Sequence, residues 1–306
     1  MSGRNGDQAQ VIGQKAIPNV LKYSYVYGST AREVREERLG GLRSTFPPRH
    51  LSGAGVVGGL GAAGLGGDRR GGKMVESLSV DLTQRGRVAL VIMAKAPEAG
   101  RVKTRLSPPL SAGEAAELSR CFLLDTIERV REVRDVTPVI AHDPPESAPL
   151  FAALAPEFGL RAQHGPDLGV RMAECVAAVL GAGATGVILI GTDAPHVPAE
   201  QIRLAVRLLG EGAHDVALGP SEDGGYYLIG LRRLQRELFE SMAWSTAGVF
   251  EETIARCRRL QLRIALLPPC YDVDTPEALA RLEAELAASG GKAAPRTWQF
   301  LAARLR

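Results

Sequence analysis

The chain has 306 residues, enough for one large domain or two ordinary ones, and 35 of them are glycine. Charge is unevenly held: residues 1–84 carry 16 of the glycines and a net charge of +4, whereas the rest carries 26 basic against 27 acidic groups. The basic pI of about 8.7 therefore belongs to the leader, and a generally basic nucleic-acid-binding protein is not indicated.

Residues 1–84 show little apolar periodicity, with a short charged run from Ala31 to Arg38 and then a Gly-rich tract from Gly53 to Gly72. Such a segment buries too little apolar surface to offset its ordering entropy, so it is expected to be a disordered leader. A mitochondrial-type leader is opposed by Glu33, Glu36 and Glu37, and a natural start at Met74 is a further reading. The G-x-G-x-x-G string from Gly53 to Gly58 lies between no strand and no helix, so it is not a dinucleotide fingerprint.

Val88 to Met93 is an unbroken apolar run, short and β-branched, which predicts a central parallel strand buried on both faces. It feeds a loop holding Lys95, Pro97, Gly100, Lys103 and Arg105. That loop lacks the Gly-Lys-Ser/Thr succession of a Walker A motif. Ser111 and Glu114 fit a capping box and open a long amphipathic helix. Strands follow at Val136 to Ala141, Leu160 to His164 and Val187 to Ile190, with helices at Ala148 to Phe158, Asp167 to Leu180 and Pro198 to Leu209. This alternation predicts a parallel sheet with helices on both faces.

The second half changes character. Strands are predicted at Asp215 to Leu218 and Tyr226 to Leu231, then a helix from Thr246 to Leu260 and a strand from Arg263 to Leu267. Cys270-Tyr-Asp272-Val-Asp274-Thr-Pro276-Glu277 opens a helix to Ala288, with Asp274 as the expected N-cap. The domain is thus expected over residues 85–290, and residues 291–306, with Trp298, Leu301 and Leu305 on one side, read as a docking segment.

Cys121, Cys175, Cys257 and Cys270 form no C-x-x-C pair, and the five histidines have no metal-binding spacing. No apolar run reaches the roughly 18 residues of a membrane span. The chain is read as cytoplasmic, with neither membrane nor nucleic acid among its partners; its oligomeric state is not legible.

The chemistry-bearing residues sit in the predicted loops. Three cations beyond the first strand point to an anionic ligand, phosphate first, because ligands of open α/β sheets bind outside the carboxyl ends of the strands. Asp193, just past the fourth strand, suits a Mg²⁺ or Mn²⁺ ion that takes one or two protein carboxylates and fills its shell with water and phosphate; Asp272 or Asp274 completes the site. Asp223, beside Gly224 and Gly225, is placed to hold or deprotonate an acceptor hydroxyl. Asp167 and Arg171 open a helix, where capping and nucleotide contact are equal readings.

Four motifs now stand in order: K-A-P-x-x-G-x-V-K-T-R-L from Lys95, G-T-D-A-P from Gly191, S-E-D-G-G-Y-Y-L-I-G from Ser221 and D-V-D-T-P-E from Asp272. As a set over residues 87–285 they resemble the GT-A-fold group of arsenosugar-biosynthesis-type glycosyltransferases. That group is similar to molybdenum-cofactor guanylyltransferase and 2-phospho-lactate guanylyltransferase. The resemblance implies a nucleotide-diphospho-sugar transferase-like α/β/α sandwich with a mostly parallel, mixed sheet. It further implies Lys95, Gly100, Lys103 and Arg105 on the phosphates, Asp193 on a divalent cation and Asp223 to Gly225 on the acceptor. Thr192-Asp193-Ala194 departs from the Asp-x-Asp usual in glycosyltransferases of this fold. The expected function is metal-dependent glycosyl transfer from a nucleotide-sugar to a small acceptor, with Asp223 and Lys103 as the catalytic pair. Nucleotidyl transfer from an NTP to a phosphorylated acceptor is the alternative, and a non-catalytic nucleotide-binding protein the third.

Overall fold

The computed structural model describes residues 87–304, so the expectations for the leader, the Met74 start and Leu305 lie outside the described residues. Strand β1 (Val88–Lys95) is sandwiched as its apolar run demands: Leu90 and Ile92 pack into one core and Ala89 and Val91 into another. The capping box forms at Ser111, whose hydroxyl accepts from the Glu114 N–H, and starts α1 (Ala112–Arg131). Then follow β2 (Val136–Asp143), α2 (Ala148–Leu154), β3 (Gly159–Ala162), α3 (Leu168–Gly181), β4 (Gly186–Ile190) and α4 (Ala199–Gly210). Strands β5 (Val216–Pro220) and β6 (Tyr226–Leu231) lead to α5 (Val249–Arg259), β7 (Ile264–Leu266), α6 (Pro276–Ser289) and α7 (Pro295–Arg304).

The seven strands form one sheet in the order β3-β2-β1-β4-β6-β5-β7. All neighbours are parallel except β6, which runs antiparallel to both β4 and β5. Helices α1, α2 and α4 pack on one face and α3 and α5 on the other, which makes the expected three layers. The chain moves outward from β1 to β3, crosses back to β4 and moves the other way. The carboxyl ends of β1 and β4 are therefore the switch point, where connecting loops part and leave a crevice. Among the described residues no helix is long and apolar enough to cross a membrane.

Most strand ends shift by one or two residues, β3 for example ending at Ala162 rather than His164, and three helix ends differ from expectation for a tertiary reason. Helix α2 stops at Leu154, because Phe158 turns back to bond the Ala155 carbonyl and enters the core. Helix α5 starts at Val249 rather than Thr246: the Thr246 hydroxyl is used on the Ala243 carbonyl, and the Phe250 N–H goes to the Gly224 carbonyl. Helix α6 is capped by Thr275, whose hydroxyl accepts from the Ala278 N–H, and not by Asp274, whose carboxylate is drawn elsewhere.

The docking segment is helix α7, laid against α1. Buried Asp125 of α1 accepts from the Arg296 and Thr297 N–H groups and the Thr297 hydroxyl, capping α7 from another element. Leu301 joins Phe122, Leu282 and Leu286 in a third apolar cluster.

Candidate active site

At the switch point the fold opens into a cavity of about 650 Å³. Its walls come from the loop after β1, the loop after β4, the β5–β6 turn, the loop before α6 and the start of α3. Lys95, Lys103, Arg105, Asp167, Arg171, Asp193, Asp223, Gly225, Asp272 and Asp274 all line it. Gly100 and Gly224 do not.

Lys103 is the hub. It adopts a left-handed conformation (φ 48°), and its side chain, 4% exposed, passes 5.0 Å from the Phe122 ring. Its ammonium reaches Asp193 Oδ1 at 2.6 Å, Asp274 Oδ1 at 2.7 Å and the Val273 carbonyl at 2.8 Å. Burial pulls its pKa down, but the two carboxylates together outweigh that and leave it above the ordinary lysine value. Sequence reasoning aimed Lys103 at phosphate; here its donors are spent on the carboxylates proposed for the metal.

Asp272 sits deeper. Burial first, then the charges of Asp193, Asp223 and Asp274, push its carboxyl up to about 7, against the hydrogen bond it accepts from Ser221 Oγ at 3.0 Å. Four carboxylates thus line one crevice, and two of them, Asp193 and Asp274, hold the buried Lys103 ammonium. Asp223 is steadied by its own turn, Oδ1 accepting from the Gly225 N–H at 2.8 Å. Gly224 (φ +91°) has a structural reason to be glycine: a Cβ there would lie 2.2 Å from the Ala247 carbonyl oxygen. It shapes the turn and faces away from the cavity.

Lys95 and Arg105 are exposed on the cavity's basic side, and Gly100 (φ +77°) turns the loop between them. Asp167 caps α3, accepting from the Val170 N–H at 2.9 Å, so the capping reading is realised at that residue. Arg171 pairs with Asp143 at 3.1 Å and donates to the Gly165 carbonyl, which ties the start of α3 to the end of β2.

Three lining or supporting residues escaped sequence reasoning. Gln163 donates its amide to the Ala94 and Ala141 carbonyls at the ends of β1 and β2, and no motif marks it. Ser221 opens the S-E-D-G-G motif, but its bond to Asp272 spans 51 residues. Arg281 on α6 holds Glu222 at 2.9 Å and stacks on Tyr271, so the β5–β6 turn is clasped from α6. Behind it, His196 Nε2 lies 3.3 Å from Cys270 Sγ. Burial drives the imidazole down to about 4 and the thiol up to about 12, so both are neutral near pH 7 and no thiolate nucleophile exists there.

Among the described residues no three His, Cys, Asp or Glu side chains are gathered as a ready-made metal cage. The crevice offers instead a pair of hard oxygens, Asp193 and Asp274, already drawn to one cation, with Asp272 and Asp223 close by. That donor set fits Mg²⁺ or Mn²⁺, which completes its shell with water and substrate phosphate.

A family model described as an uncharacterized protein conserved in bacteria, DUF2064, matches residues 126–246. No match was found among curated proteins. Among solved structures the chain is similar to a candidate nucleotide-diphospho-sugar transferase of Desulfovibrio desulfuricans G20. The two are 33% identical, the match covers 70% of this chain and 93% of that one, and the TM-score is 0.64. It is less similar to CMP:2-keto-3-deoxy-manno-octonic acid synthetase (15% identity, 66% and 99% coverage, TM-score 0.45). The 4-diphosphocytidyl-2C-methyl-D-erythritol synthase of Anaerococcus prevotii DSM 20548 stands at 11% identity, 66% and 99% coverage and TM-score 0.45. With 33% identity over a match that covers 93% of the Desulfovibrio protein, the chain belongs to that family and is a transferase of the nucleotide-diphospho-sugar transferase fold.

Proposed function

We propose that the chain is a divalent-metal-dependent glycosyltransferase, of the arsenosugar-biosynthesis type, that moves a sugar from a nucleotide-sugar to a small acceptor. The observation that carries this reading is the convergence of Asp193, Asp223, Asp272 and Asp274, from three separate loops, on the crevice that the basic loop after β1 also lines. Lys95 and Arg105 bind the diphosphate by charge-assisted hydrogen bonds. Asp193 and Asp274 hold Mg²⁺ or Mn²⁺, which when bound supplies neutralisation of the charge on the leaving nucleoside diphosphate. Asp223 accepts the proton of the acceptor hydroxyl as that oxygen attacks the anomeric carbon. The likeness to the Desulfovibrio protein supports the nucleotide-sugar as donor. A cytoplasmic location belongs to the same reading.

A second reading is nucleotidyl transfer, in which a phosphorylated acceptor attacks the α-phosphorus of an NTP. It is favoured by one feature: the carboxylates that flank Lys103 come from two loops 81 positions apart, Asp193 and Asp274, and not from one Asp-x-Asp turn. Thermal melting with UDP-sugars, GDP-sugars and NTPs, each with and without Mg²⁺ or Mn²⁺, separates the readings. A ligand at 100 times its dissociation constant adds about 2.7 kcal/mol, roughly 5–10 °C for a domain of this size. Metal-dependent shifts with nucleotide-sugars are expected; shifts with NTPs alone favour nucleotidyl transfer, and binding of either without turnover favours a sensor.

A further inference from the structure

The geometry points to Lys103 as a resident counter-ion: its ammonium holds the two carboxylates that the divalent ion takes, and leaves them for the substrate's phosphates when that ion binds. This rests on the metal-dependent reading above. An ammonium has three donors, and all three are used, on Asp193 Oδ1, Asp274 Oδ1 and the Val273 carbonyl. An approaching anion finds no free donor on it. The placement is costly in two respects. Lys103 is a non-glycine residue in the left-handed region, and its charged end is withdrawn from water. Both costs are met only while the carboxylates stay beside it.

A divalent ion competes for the same two oxygens. Ammonium and metal cannot share them, because like charges at contact distance repel strongly in a partly desolvated crevice. Arrival of the ion therefore strips Lys103 of two of its three partners. The phosphate oxygens that Mg²⁺ carries in its own shell offer a replacement. Metal alone is thus opposed by Lys103, whereas metal with phosphate is not, and the coupling works equally in both directions. The loop bearing Lys103 turns on Gly100 (φ +77°), which permits a change of course at its base.

The test uses the full chain without any phosphate. Mn²⁺ binding, read from loss of the free-ion electron paramagnetic resonance signal, is compared between the parent and Lys103→Met. The variant should bind Mn²⁺ at least about 10-fold more tightly, within the usual range of such couplings, and the gain should vanish when Asp193→Asn is added. Equal or weaker binding in Lys103→Met, with Asp193 still required in the parent, overturns the counter-ion role and leaves the metal site standing. Binding that ignores Asp193→Asn, or no binding by either protein, overturns the metal reading and this inference with it. Should Lys103→Met fail to fold, Lys103→Gln keeps a donor for the Val273 carbonyl and is read in the same way.

Discussion

Two withdrawn charges tie distant parts of this chain together, and they differ in what surrounds them. Asp125 reaches from α1 to α7, 172 positions to Thr297, and is met wholly by N–H groups and a hydroxyl of one helix end. Lys103 reaches from the loop after β1 to the loop before α6, 171 positions to Asp274, and is met by carboxylates that line an open cavity. The first arrangement has no competitor, since the start of α7 brings its own donors and nothing from solvent replaces Asp125. The second is exchangeable, because any stronger cation takes the same oxygens. One seam is built for stability and the other for ligand.

The largest effect is expected from removing Asp125. Asp125→Ala orphans two N–H groups and the Thr297 hydroxyl, and each buried donor left without an acceptor costs about 1–3 kcal/mol. At about 2–4 °C per kcal/mol, the melting temperature should fall by roughly 10 °C or more, while nucleotide affinity of the folded protein holds. A change below about 2 °C by calorimetry would show that α7 is dispensable and the seam is no fixture.

Asp223→Asn should do the reverse. If Asp223 is the general base, turnover falls roughly 100-fold or more while nucleotide affinity and melting temperature stay nearly constant. Loss of nucleotide affinity, measured by calorimetry with metal present, would mean that the β5–β6 turn belongs to the donor side.

Lys103→Ala sharpens the contrast within one residue. With metal present it should weaken nucleotide binding by about 10-fold, as charge-assisted contacts to phosphate are worth about 1.5–3 kcal/mol and each 1.4 kcal/mol is a factor of ten. Unchanged affinity would confine Lys103 to its carboxylates.

The smallest effect is expected at an exposed pair, which serves as calibrator. Arg263 forks onto Asp215 at 2.8 and 2.9 Å on the surface, where Arg263 is half exposed. The guanidinium's hydrogen bonds hold the Asp215 carboxyl well below its usual range. A depressed carboxyl contributes stability above the unfolded pKa of about 3.9, and that contribution disappears as pH falls through the folded value. Screening limits it to about 1 kcal/mol or less. Arg263→Ala should therefore cost about 1–3 °C at pH 7 and less at about pH 3, where the contribution is already being lost. An equal cost at both pH values would assign the effect to lost packing on β7.

Local signals sufficed for much of the fold. The unbroken run at Val88 to Met93 had to be covered on both faces, the Ser111–Glu114 box had to start a helix, and Tyr226 to Leu231 is the strand observed. Period, capping and turn chemistry act within a few residues, so the order of elements and the loops that carry charge were readable from the chain. Which groups meet was not. D-T-P-E was consistent with Asp274 as a helix cap, yet Thr275 caps α6, because an ammonium 171 positions upstream claims the Asp274 carboxylate. Asp167 offered capping and nucleotide contact equally, and the backbone of α3 took it. Gln163 and Arg281 carry no motif at all, since their partners are carbonyls and side chains delivered by other strands and turns. Sequence determined the parts and the signs of their charges; only the tertiary structure decided the pairing, because a buried charge settles on whichever partner the packed fold brings within about 3 Å.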